Sequence, residues 1–134
     1  MMRFNNKDFD KTTNMLRNFF RDIKGYKEVH TQNELSNLSF CGDPQTGQMC
    51  LENYLLTYPE EKGYFCVSTS YRNEPNPVEG MHDKIFPMFE FEMKGGMDEL
   101  LKMEKELLVH LGFGKEADFV EVDYTETAKK YEVK

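Results

Sequence analysis

FCVSTSYRNEPNPVEGMHDKIFPMFEFEMK, Phe65 to Lys94, holds two β-prone runs, Tyr64–Tyr71 and Phe86–Phe91, with a polar segment between them. That segment carries two prolines and a glycine, and is too long for a tight hairpin turn and too polar to be buried. The pattern predicts two antiparallel strands joined by a mobile loop. Arg72 and Glu74 stand at the exit of the first strand, and His82 and Lys84 just before the entry of the second. Cationic groups at both roots of a loop suit a phosphorylated ligand, because charge-assisted bonds to phosphate are the strong ones.

Working outward, the composition sets limits. A chain of 134 residues reads as one domain, residues 1–134, with enough length for a real core. Its 39% hydrophobic and 13% aromatic content describes a folded globular protein. A formal net charge of -7 argues against broad, nonspecific nucleic-acid binding, though not against a local basic site. No apolar run approaches the roughly 20 residues of a membrane span. The start, MMRFNNKDFDK, lacks the apolar core of a signal peptide. Cys41, Cys50 and Cys66 are odd in number and have no metal-type spacing, which favours free thiols in a reducing cytoplasm; with no apolar span, no membrane partner is expected.

Apolar residues at Phe9, Met15, Leu16, Phe19, Phe20 and Ile23 predict a helix over Asp8–Lys24. Asn5 with Asp8 resembles a capping box, and Gly25 is a natural stop. Tyr26–Thr31 reads as a strand, and Asn33–Gly47 is turn-rich. Gln48–Tyr58 has helical spacing, with Met49, Leu51, Tyr54, Leu55 and Leu56 as its apolar residues. After Gly95–Gly96, Asp98–Leu111 predicts a surface helix ended by Gly112 and Gly114. Phe119–Tyr124 alternates and is expected to be another strand near an edge, followed by a short helix capped by Thr125 or Thr127 and ending near Tyr131. The expected fold class is α+β, an antiparallel sheet flanked by helices.

Arg72-Asn73-Glu74, a variable loop, then His82-Asp83-Lys84-Ile85-Phe86 leading into a strand resembles motif 2 of class II aminoacyl-tRNA synthetases. Upstream, Pro44-Gln45-Thr46-Gly47-Gln48-Met49 is similar to the Pro-Gln-Ser-Pro-Gln segment of the aspartyl and asparaginyl members. Taken together, these stretches most resemble the asparagine-synthetase-like relatives of those enzymes. The helix, glycine, strand order of residues 9–32 resembles motif 1, which in the family forms the dimer interface; the family's proline, expected near Gln32, is absent. Three stretches thus carry the resemblance: 9–32, 44–49 and 64–92.

The resemblance implies ATP-dependent amino-acid activation, in which an amino-acid carboxylate attacks the α-phosphate of ATP. Arg72 would be the catalytic residue, holding the α-phosphate with a planar fork that lysine lacks. Glu74 would accept from the adenine amino group or fix Arg72, His82 would approach the terminal phosphates, and Phe86 would stack on adenine. Thr46 and Gln48 would bind an amino acid of aspartate or asparagine type, and Mg²⁺ would arrive with ATP. Glu90 and Glu92 share one strand face; they either line the site or form a solvated face or ion pair. Thr46 and Gln48, likewise, either bind substrate or merely cap the following helix. Aspartyl members place a lysine three residues after the second glutamine, where Leu51 stands here; a leucine cannot pair with a carboxylate.

Nothing after Tyr124 matches the glycine-rich motif 3 that supplies the family's second ATP-binding arginine. The expectation is therefore a homodimeric class II ligase domain truncated before motif 3, with weak or no activity as an isolated chain and tRNA engaged only through regions not in this sequence. The alternative is a non-catalytic remnant that binds a nucleotide, an amino acid or a partner subunit.

Overall fold

The computed structural model describes residues 5–30, 47–71, 76, 78, 83 and 85–131. The chain packs as two compact units, Met1–Gly95 and Gly96–Lys134.

The first unit opens with helix α1, Asn6–Arg17. The Asn5 side chain accepts from the Lys7 backbone N–H at 3.0 Å and donates to Asp8 at 2.8 Å, so the expected start holds. The single helix expected over Asp8–Lys24 instead widens into a π-helical turn at Asn18–Ile23. The Lys24 N–H bonds back to the Phe19 carbonyl at 2.9 Å, and Gly25 follows at φ 76°. A π turn rotates less per residue than an α turn, which lets the adjacent Phe19 and Phe20 both point inward; both are buried.

Strand β1 is only Lys27–Glu28 among the described residues. It runs parallel to β2, Gly63–Tyr71, and β2 runs antiparallel to β3, Ile85–Met93. The order is β1-β2-β3. The two strands flanking the decisive segment pair as expected, but the sheet is small and mixed rather than antiparallel throughout. The reason is connectivity: α2, Gln48–Thr57, lies between β1 and β2 in the chain, and a crossover of this kind returns the chain in the same direction. Pro87 sits in β3 opposite Thr69, and its missing N–H is tolerated because β3 is an edge strand among the described residues.

Alternation assigns the two sheet faces. On one, Phe65, Phe89 and Phe91 meet Phe20, with ring centroids 6.0, 5.2 and 4.6 Å from it. Tyr26 closes this cluster at 5.6 Å. On the other face, Tyr64 and Cys66 bury Leu51 of α2, with Val29, Tyr54 and Leu55 packed around them. Period-2 strands between two helices thus make two thin cores.

The second unit contains α3, Met97–His110, a 3₁₀ turn at Glu116–Asp118, and α4, Tyr124–Tyr131. Glu99 accepts from the Gly96 N–H at 2.7 Å, and this bond holds its carboxyl below the usual range. The strand expected at Phe119–Tyr124 does not form: residues 119–123 have no regular structure. Val120 and Val122 are 79% and 65% exposed, and no strand is described in this unit for them to pair with. Asp123, not Thr125 or Thr127, caps α4 by accepting from the Glu126 N–H at 3.0 Å.

Candidate functional site

The even-numbered positions of β2 and β3 carry the polar chemistry of the first unit. Tyr64, Cys66, Ser68 and Ser70 stand opposite Glu92, Glu90, Met88 and Phe86 respectively. This is the face on which α2 packs; Phe86, Glu90 and Glu92 share it by register, and Glu90 meets the start of α2, where Gln48 lies.

Glu90 is the best-connected group there. Its Oε2 accepts from the Ser68 hydroxyl at 2.7 Å and from the Gly47 backbone N–H at 2.8 Å, with the Cys66 Sγ at 3.9 Å. Neither a solvated face nor an ion pair describes this carboxylate; it ties two strands to the first turn of α2. Ser68 is 8% exposed and Cys66 fully buried, so the partly buried carboxylate is held by donors fixed in the sheet and at the helix start. A carboxylate at the N-terminal end of α2 is also favoured by that helix's dipole.

Glu92, two residues on, is half-buried. Burial, and then the nearby charges of Glu52 and Glu90, push its carboxyl above the ordinary range. No cation pairs with it among the described residues. Glu52 enters the site from α2, where it accepts from the Gln48 amide at 3.0 Å. Gln48 is exposed and spends its amide on that i, i+4 bond within the helix. Phe86 is half-buried on β3. The Ser70 hydroxyl lies 2.8 Å from the Met88 sulfur beside it.

Arg72, Glu74, His82 and Thr46 lie outside the described residues, as do Lys84 and Cys41. The structure thus brings together Phe86, Glu90 and Glu92, and sets Gln48 on the helix that covers their face. Sequence reading missed Glu52, Ser68 and the Gly47 amide. Glu52 was signalled by its i, i+4 spacing from Gln48, and Ser68 by strand alternation with Cys66. The Gly47 contact joins residues 43 apart in sequence and had no local signal. Leu51, at the position of the aspartyl members' lysine, is fully buried in the core and presents nothing to a ligand.

A cleft of ≈ 520 Å³ opens on the opposite face, between α1 and the sheet, lined chiefly by Phe9, Leu16, Val67, Pro87 and Phe89. It is mostly apolar and contains none of the residues that the sequence marks for phosphate or amino-acid binding. Among the described residues no group of three or more His, Cys, Asp or Glu is placed to hold a metal ion, and no helix is long and apolar enough to cross a membrane.

No family model matches the chain, and no curated protein matches it. Among solved structures, an aspartyl-tRNA synthetase from Entamoeba histolytica is similar, with a TM-score of 0.55 and 21% identity over 74% of this chain and 19% of that one. The chain spans about one fifth of the length of that structure, and at this identity the likeness is one of fold. A small mixed sheet flanked by helices, with a fold like that of part of an aspartyl-tRNA synthetase, is what this chain builds.

Proposed function

We propose that this chain carries part of a class II synthetase-like active site, supporting ATP-dependent activation of an amino acid. The observation that carries the reading is the antiparallel β2–β3 pair, which sets Phe86, Glu90 and Glu92 on one sheet face, with Glu90 bonded to the start of α2. The fold likeness to part of an aspartyl-tRNA synthetase supports the same reading.

In that reaction a carboxylate oxygen of the amino acid attacks the α-phosphorus of ATP. The bond to the bridging oxygen breaks, pyrophosphate leaves, and an aminoacyl-adenylate remains. Chemistry of this kind asks the protein chiefly for positioning and charge stabilisation. Arg72 is assigned to the α-phosphate, His82 to the terminal phosphates, Glu74 to the adenine amino group and Phe86 to the adenine ring. Mg²⁺ enters with the nucleotide and keeps several of its waters. Thr46 and Gln48 serve the amino acid. Its side chain is not expected to be a free carboxylate, because Leu51 is buried and Glu52, Glu90 and Glu92 make the nearby face acidic. The stretch 9–32 is the proposed homodimer contact, checked by sedimentation velocity.

Calorimetric titration of ATP with Mg²⁺ into the chain and its Arg72→Ala variant tests the proposal. Saturable binding to the parent, weakened at least about tenfold in the variant, is the expected result for a lost charge-assisted phosphate contact. Absence of binding to both proteins refutes a nucleotide site. ATP–pyrophosphate exchange with aspartate or asparagine then separates turnover from binding alone.

A further inference from the structure

We propose that Glu90 is a positioning residue: through its Oε2 it sets where the start of α2, at Gly47 and Gln48, stands on the sheet. The functional half of this inference rests on the activation reading above; the positional half does not.

Two kinds of contact hold α2 on the sheet. Around Leu51, the contacts with Tyr64, Cys66, Tyr54 and Leu55 are apolar. Apolar packing is strong but non-directional, so alone it leaves a short helix able to pivot about the buried leucine. A second, directional anchor at one end removes that freedom. The Gly47 N–H to Glu90 bond is such an anchor, sitting at the N-terminal end of a helix of 10 residues. On the other side the same carboxylate oxygen is fixed by the Ser68 hydroxyl, which is buried in β2. Ser68, Glu90 and Gly47 therefore form a relay from one strand, through its neighbour, to the helix start. Gln48 follows Gly47 directly in the chain, so its placement follows the amide that Glu90 holds.

The Oε2 oxygen is thus committed on both sides, to a hydroxyl and to a backbone N–H, and its contribution is the fixed position of the helix start. This separates Glu90 from Glu92, which is half-buried and has no cation partner among the described residues.

Amide hydrogen exchange by NMR on the parent, Glu90→Ala and Ser68→Ala chains is the test, together with calorimetry of an amino acid and of ATP separately. In Glu90→Ala the Gly47 amide is expected to exchange about tenfold faster or more, while amides in the last turn of α2 stay within about twofold. Ser68→Ala, which keeps the carboxylate but frees one side of it, is expected to fall between parent and Glu90→Ala. Amino-acid affinity in Glu90→Ala is expected to drop about tenfold, with ATP affinity changed less than about threefold. Unchanged Gly47 exchange in a folded Glu90→Ala chain overturns the proposal, as does equal weakening of both ligands. If the parent chain binds neither ligand, the activation reading fails by itself, and Gly47 exchange still decides whether Glu90 holds the helix start.

Discussion

At the scale of single residues, Glu92 gives a pH dependence whose sign can be worked out. Its carboxyl is raised by burial and then by Glu52 and Glu90. Between the ordinary carboxylate range and that raised position, the folded chain keeps a proton that the unfolded chain has released. Stability therefore falls as pH rises through this window, and below it the penalty is absent. Glu92→Gln removes the titrating group and is expected to stabilise the chain at neutral pH and flatten the acid side of the profile. Urea midpoints of both proteins from mildly acid to neutral pH check this; parallel profiles would contradict it. Gly63 makes a second case. A Cβ there would stand 2.5 Å from the Tyr26 ring and 2.7 Å from the Glu92 carbonyl oxygen. The backbone atom cannot step aside, so Gly63→Ala is expected to cost about 2 kcal/mol, read as a lower urea midpoint at unchanged slope.

At the scale of elements, the end of α1 is tied to β1 by one ion pair. Arg17 Nη2 donates to Glu28 Oε1 at 2.8 Å, and its Nε donates to both carboxylate oxygens at 2.9 and 3.1 Å. The side chains are 32% and 21% exposed, so water and salt screen the pair only in part. Arg17→Ala is expected to lose about 1 kcal/mol at low salt and less at high salt, measured by urea unfolding at two ionic strengths. Phe20 holds the same elements together from inside: it is fully buried and meets rings from β2 and β3. Phe20→Ala is expected to cost about 3–5 kcal/mol, a large share of a small domain's stability, and near-ultraviolet circular dichroism would show the aromatic cluster loosened. The segment at 119–123 teaches the opposite lesson. Its alternation is as regular as that of a real strand, but Glu121 pairs with Lys105 at 2.9 Å and Asp123 caps α4.

At the scale of the whole molecule, the acidic balance remains a testable property. With a formal net charge of -7, the chain is expected to show no saturable binding to random-sequence duplex DNA at near-physiological salt, measured by fluorescence anisotropy. What the sequence by itself determined is local: that helices stand near residues 8–24, 48–58 and 98–111, the first of which the fold widens into a π turn, that Gly25 is a stop, and that β-prone runs flank residues 72–84. The helices and the stop are written in a period, a cap or a turn residue within a few positions, whereas the two β-prone runs became strands by pairing with each other. Tertiary structure alone decided the rest. The parallel direction of β1 follows from the crossover through α2, and the π turn brings Phe19 and Phe20 inward together. Residues 119–123 have no strand to pair with among the described residues of their unit, and a strand is made by its ladder and not by its pattern. The role of Glu90 depended on two donors, 22 and 43 positions away, that only packing could bring to one oxygen.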